Sequence, residues 1–122
     1  MKKLSMYLFA AALFAATGTA SFAQAAPKTV IHVVTVSWKA GTTPEQIQAA
    51  LDGVAALPAA YKGITRVWTR TLKAQGGKAN AFVMEFADEA AFKAYTDSDA
   101  QKEWYKTYLP IRDASTTFDI TN

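Results

Sequence analysis

From residue 29 to residue 120 the chain alternates between a two-residue rhythm and a helical one, and the order of those rhythms predicts the fold. Residues 29–38 repeat at every second position. His32, Val34, Val36 and Trp38 fall on one face, and Ile31, Val33, Thr35 and Ser37 on the other. Both faces begin apolar, so both sides of this strand are expected to be covered. A short turn leads to Thr43-Pro44-Glu45-Gln46, which reads as a helix start: Thr as N-cap, Pro at the first helical position, Gln completing a capping box. Ile47, Leu51, Val54 and Pro58 share one helical face, and Pro58 is expected to end the regular helix. Residues 64–71 alternate again, with Arg66 and Arg70 flanking Trp68. A loop of hairpin type around Gly76-Gly77 precedes a third strand, with Asn80, Phe82, Met84 and Phe86 opposite Ala81, Val83 and Glu85.

The remaining pattern predicts two short helices and a strand. Asp88 can cap a helix whose apolar side is Ala91, Phe92 and Tyr95. Ser98 can cap another, in which Gln101, Trp104, Tyr105 and Tyr108 recur at i, i+3, i+4 and i+7. Pro110 closes it. In residues 114–120, Ser115, Thr117 and Asp119 oppose Thr116, Phe118 and Ile120. The order β-α-β-β-α-α-β predicts an α+β fold, a ferredoxin-like subunit with an antiparallel sheet. Helices on one side leave Ile31, Val33, Val83, Phe118 and Ile120 on the other, a larger apolar patch than a soluble monomer normally exposes. A second copy packing sheet against sheet would cover it, so the pattern predicts a homodimer.

The first residues follow a different logic. Met1-Lys2-Lys3 supplies a positive start, residues 4–16 an apolar run, and Ser21-Phe22-Ala23 and Ala23-Gln24-Ala25 two small-x-small cleavage sites. Residues 1–25 are therefore expected to be a signal peptide cut after Ala23 or Ala25, which makes the mature protein periplasmic or secreted. Its domain is expected to span residues 28–122. Removing 23 residues leaves 99, a size at which the buried core is only marginally stabilising. The chain has no Cys, so no disulfide compensates, and association is the remaining route to more burial. Two of the three units of formal net charge, +3, belong to Lys2 and Lys3. The mature chain carries no basic stripe, which argues against nucleic acid or a membrane surface as partner.

With these elements in place the chain resembles the stress-responsive dimeric α/β-barrel (Dabb) family, from Val30 to Ile120. The resemblance is carried by Ile31-His-Val-Val34, by Leu57-Pro58 ending a helix, by Gly63-Ile64 leading to Trp68, and by the run from Phe82 to Phe86. Phe92-Lys-Ala-Tyr95, Tyr105-Lys-Thr-Tyr-Leu-Pro110 and Phe118-Asp-Ile120 complete it. It implies homodimers whose two sheets form a barrel. Members commonly carry His-Pro-x-His after the Tyr of the short helix, where this chain reads Ser98-Asp-Ala-Gln101. In a plant cyclase of the family that performs an intramolecular aldol condensation, the second of those histidines works with the Tyr in proton transfer. Matched position by position, Tyr95 keeps the Tyr and Gln101 replaces the His. His32 and Asp119 match polar positions of that pocket, and Asn80 stands where the cyclase has another His. Thr69 replaces the Gly usual after the Trp.

Three classes of function fit these residues. The first is binding of a small apolar or aromatic molecule, with Phe82, Met84, Tyr95, Trp104 and Tyr105 as walls, His32, Asn80 and Gln101 as orienting polar groups, and Asp119 in the same pocket. The second is a cofactor-independent cyclase or lyase in which His32 and Tyr95 transfer protons. Gln101 cannot accept a proton from Tyr95, so His32 would be the base, with Asp119 fixing its tautomer. The third is a non-catalytic structural stress protein in which the same polar groups satisfy one another and the aromatic stripe is core packing. Binding predicts a cavity, and the structural role predicts side chains filling it. One His and no Cys give no metal-ligand spacing, and no phosphate loop, dinucleotide fingerprint or nucleophile elbow is present, so no cofactor is expected. Glu85, Arg66 and Arg70 are read as solvated or interface charges.

Overall fold

The computed structural model describes residues 27–122. The expected signal peptide and both cleavage sites lie outside the described residues. The element order is β1 (Val30–Trp38), α1 (Pro44–Ala60), β2 (Ile64–Trp68), β3 (Asn80–Phe86), α2 (Glu89–Tyr95), α3 (Asp99–Tyr108) and β4 (Arg112–Ile120). The four strands form one antiparallel sheet in the order β2-β3-β1-β4. This is the ferredoxin-like α+β arrangement that the alternation predicts. No helix among the described residues is long and apolar enough to cross a membrane.

Local chemistry sets the helix starts. Thr43 Oγ1 accepts from the Gln46 N–H at 3.3 Å, and Gln46 Oε1 accepts from the Thr43 N–H at 2.9 Å, a complete capping box. Asp88 and Ser98 cap α2 and α3 through the N–H groups of Ala91 and Gln101. Pro58, expected to end α1, lies inside it. The helix runs on to Ala60, and the Tyr61 N–H caps the Leu57 carbonyl at 2.8 Å. Proline this near a C-terminus removes one intrahelical bond in the last turn, which the packing of Leu57 against the sheet outweighs.

The helices cover one sheet face only. Val34, Val36, Ile64, Phe82, Met84 and Phe86 point into the core, where Ala50, Leu51, Val54 and Leu57 of α1 meet Tyr95, Trp104 and Tyr108. Trp104 and Tyr108 stack at 4.5 Å, and Phe82 meets both edge-on. On the opposite face Ile31, Val33 and Val83 are half-buried, while Trp68, Phe118 and Ile120 are exposed. Strand β4 stands beyond the reach of the helices, and all of it after Arg112 is exposed. That uncovered edge decides where the interior opens.

Glu85 is not the solvated charge of the two alternatives that the sequence leaves open. It lies on the uncovered face yet is only 4% exposed, because Arg66, opposite it in register, donates from Nε to Oε2 at 2.5 Å. It is a paired and sheltered carboxylate, not a solvated one. The shelter is shallow, a layer of side chains on the sheet surface. Arg66 itself reaches on over the Trp68 ring, 5.5 Å from its centroid.

Candidate functional site

The pairing of β1 with β4 places His32 directly opposite Asp119. On that shared face the side chains meet, and His32 Nδ1 lies 2.5 Å from Asp119 Oδ1. A carboxylate can only accept, so Nδ1 carries the proton and Nε2 of the neutral ring keeps its lone pair. The ring is wedged against Phe86 and Phe92, at 6.2 and 5.7 Å between centroids. One histidine is therefore fixed in tautomer and orientation, as the sequence reading required of a base.

His32 also lines a cavity of about 90 Å³ between the sheet and the helices. Val34, Phe82 and Met84 form its floor, Tyr95, Trp104, Tyr105 and Tyr108 its helical wall, and Arg112, Ser115 and Thr117 its rim at the uncovered strand β4. By its share of liquid volume that space holds about three waters, and it is smaller than the roughly 150 Å³ known to admit benzene. Larger grooves, of about 260 Å³ between α1 and α3 and about 270 Å³ outside Asp119, are open hollows where no set of buried polar groups converges.

Two hydroxyls in the cavity wall are unusual. Tyr95 Oη and Tyr108 Oη are buried and have no hydrogen-bond partner. Burial pushes the Tyr95 phenol well above its ordinary range, with Tyr105 adding to the effect, so Tyr95 is a neutral donor rather than a base. Burial also raises Tyr108, partly offset by Ser115 and Arg112 beside it, although neither closes a hydrogen bond to the hydroxyl. Native interiors rarely leave such groups unpaired, and each costs about 1–3 kcal/mol unless something occupies the space it faces.

Six of the nine residues proposed from sequence surround this cavity: His32, Phe82, Met84, Tyr95, Trp104 and Tyr105. Asp119 acts from behind, through His32. Gln101 is also behind the wall: its Oε1 accepts from the Asp97 N–H at 2.8 Å and its Nε2 donates to Tyr105 Oη at 3.2 Å. Asn80 is elsewhere. It accepts from Trp38 Nε1 at 2.8 Å, opposite Val36, whereas His32 pairs with Met84. Four residues of strand separate them, about 13 Å. Alternation gave Asn80 the right face but not its position along the strand. Tyr108, Arg112, Ser115 and Thr117 were missed. The i+7 position of Tyr108 and the alternation of Ser115 and Thr117 with Phe118 and Ile120 were the available signals. Among the described residues no three His, Asp or Glu side chains converge as metal ligands.

Residues 30–122 match the sequence model of the Stress responsive A/B Barrel Domain, Dabb. The chain belongs to that family. Proteins of known structure share the fold across most of this chain. A dimeric ferredoxin-like protein of unknown function from Thermobifida fusca is 20% identical, with a TM-score of 0.65 over 77% of this chain and 91% of its own. A hydroxynitrile lyase from Passiflora edulis is 18% identical, with a TM-score of 0.70 over 79% and 94%. A Dabb family protein with a ferredoxin-like fold from Mesorhizobium loti is 21% identical, with a TM-score of 0.65 over 77% and 96%. At these identities the likeness is one of fold. No curated protein matches the chain. Within the Dabb frame, the position where the resemblance expects a second histidine is filled by Gln101, bonded to Tyr105.

Proposed function

We propose that this protein acts as an exported homodimer that binds a small molecule bearing a hydrogen-bond acceptor in the cavity between sheet and helices. The observation that carries this reading is the pair of buried, unpartnered hydroxyls, Tyr95 and Tyr108, in one cavity wall. A purely structural role would favour side chains that satisfy each other, and phenylalanine at both positions would pack as well. The volume limits the part held inside to a few heavy atoms; anything larger would extend past Arg112 to the uncovered edge. The apolar sheet face supports the dimer, as does the dimeric description of the Thermobifida fusca relative. Native mass spectrometry of the mature protein from the periplasm tests the proposal. A dimer carrying a displaceable extra mass is the expected result. A bare dimer whose melting temperature is unmoved by a panel of small carbonyl compounds would overturn it.

A second reading is favoured by the His32–Asp119 hydrogen bond. With Nδ1 held by the carboxylate, Nε2 can take a proton from a bound carbonyl compound while Tyr95, kept neutral, donates to the developing oxyanion. This is cofactor-independent lyase or cyclase chemistry, and the hydroxynitrile lyase among the structural relatives gives it a precedent of fold. Full turnover retained by His32→Ala on a substrate found by screening would exclude it.

A further inference from the structure

The hydrogen-bond polarity of the cavity follows from one glutamine. The Asp97 N–H can only donate, so the atom of Gln101 facing it at 2.8 Å must be the amide oxygen. That fixes the amide: its NH2 group faces Tyr105 and donates to Oη at 3.2 Å. An amide nitrogen accepts nothing, so the Tyr105 proton is directed away from Gln101, and Tyr105 lines the cavity. Asp97 holds its end of this arrangement in a left-handed conformation, φ 64°, which sets its N–H toward the first turn of α3.

Around the same space stand the two buried hydroxyls without partners, Tyr95 at 4% and Tyr108 at 3% exposure. Arg112 is on the rim, its guanidinium 5.6 Å from the Tyr108 ring centre, and it forms no ion pair among the described residues. Ser115 and Thr117 add two hydroxyls. Of the two carboxylates on β4, Asp113 accepts from Ser37 Oγ at 3.4 Å and Asp119 is turned to Nδ1 of His32, and neither lines the cavity. His32 Nε2 accepts when the ring is neutral and donates when it is protonated. The wall is rich in donors and carries one unpaired cation.

Building on the pocket reading above, we infer that the cavity is an oxyanion site whose ligand class is a small monocarboxylate, held by the hydroxyls of Tyr95, Tyr105 and Tyr108 and by Arg112. Two carboxylate oxygens offer about four lone-pair sites, which matches this donor set in number, and the space of about three waters suits an acetate-sized group. Gln101 is a positioning residue. It does not line the cavity, and it sets the direction in which Tyr105 donates.

The test compares acetate with acetamide, which is nearly identical in shape and neutral. Binding to the mature homodimer is followed by calorimetry at constant chloride. Acetate should bind at least about tenfold more tightly than acetamide, because charge-assisted hydrogen bonds are roughly twice as strong as neutral ones. Gln101→Glu keeps the acceptor for Asp97 but offers Tyr105 a carboxylate, turning its proton back. Acetate affinity should then fall by about tenfold and acetamide affinity by a smaller factor, because both lose the Tyr105 donor and only acetate also meets the added charge. Arg112→Gln, at the rim and away from the core, should abolish the preference for the anion. Acetamide binding as tightly as acetate would overturn the oxyanion inference and leave the pocket reading standing. Binding of neither would overturn both. Equal acetate affinity in wild type and Gln101→Glu would remove Gln101 from the site.

Discussion

A Cβ atom on Gly53 would stand 2.6 Å from Cδ1 of Trp104. The absent side chain lets α1 and α3 approach closely enough for Trp104 Nε1 to donate to the Ala50 carbonyl at 2.9 Å. Trp104 is thereby pinned at both its edge and its face, the latter by Tyr108, and the cavity wall inherits that rigidity. The indole is a rigid ring inside a packed core and cannot swing aside as a flexible chain would. Gly53→Ala should therefore destabilise the protein by about 1 kcal/mol: overpacking costs about 1–3, and the better helix propensity of Ala returns at most about 1. Urea unfolding followed by tryptophan fluorescence measures this. A stabilised variant would mean that the helices separate easily and that the wall is soft.

Tyr95 links stability to the site in the opposite sense. Its hydroxyl is buried without a partner, so Tyr95→Phe should stabilise the ligand-free protein by about 1 kcal/mol. The same change should weaken binding of the acceptor ligand, because a donor aimed at it is gone. Thermal melts with and without ligand should cross, the variant melting higher when empty and lower when loaded. Destabilisation of the empty variant would show that ordered water already satisfies the hydroxyl.

The single histidine makes its tautomer directly measurable. Nδ1 faces Asp119 at 2.5 Å, so the neutral ring should carry its proton on Nδ1, the minority tautomer of free histidine in water. The 15N shifts of the imidazole should report this in the wild type, and Asp119→Ala should shift the population toward Nε2–H. The effect on stability should be small, at most about 1 kcal/mol, since the Asp119 side chain is 42% exposed. An unchanged tautomer in Asp119→Ala would mean that the carboxylate does not orient the ring.

Most of the fold was legible because alternation reports faces. Val34, Val36, Phe82, Met84 and Phe86 were all assigned inward by period two, and all are buried. Capping chemistry was equally local, so Thr43, Asp88 and Ser98 were found as caps. What failed depended on distances along elements or on partners across them. Asn80 shares a face with His32 but sits at the other end of the sheet. Glu85 was left between a solvated and an interface charge because nothing local shows that Arg66 will lie opposite it. Tyr108 read as core packing, and it is that, but its unpaired hydroxyl appears only when α3 is laid against β4. Gln101 was assigned to the pocket by spacing; its task of fixing Tyr105 depends on the amide of Asp97, which no pattern displays.

The Arg66–Glu85 pair gives a pH dependence with a defined sign. The Arg66 hydrogen bond holds the Glu85 carboxyl below its ordinary range, against the opposing effect of burial. A carboxylate whose folded pKa is depressed stabilises the fold above its unfolded pKa, about 4.3, and that stabilisation is lost as pH falls through the folded value. Glu85→Gln should lower the melting temperature at neutral pH, and the gap from wild type should close as pH falls below the unfolded value and through the depressed folded one. A gap that persisted at low pH would assign the loss to packing rather than to charge.

The dimer prediction concerns the uncovered sheet face. Phe118 and Ile120 on β4 and Trp68 on β2 are 55%, 58% and 48% exposed, and Val33 and Val83 lie between them. Exposed large apolar side chains on one contiguous face favour removal from water, at roughly 25 cal/mol per Å². Phe118 is paired in register with Val33, two pairs in from the Ile31–Ile120 end of the β1–β4 ladder. A charge there would be desolvated on association with nothing to pair it. Phe118→Glu should weaken the dimer by about 30-fold or more, the scale of an anchor residue, and sedimentation velocity should show monomer at micromolar concentration. The charge on Phe118→Glu lies opposite the cavity, so the monomer should keep its helices, and its circular dichroism should be unchanged. A Phe118→Glu protein that remained dimeric would mean that the copies meet through another surface, and the apolar sheet face would need a different cover.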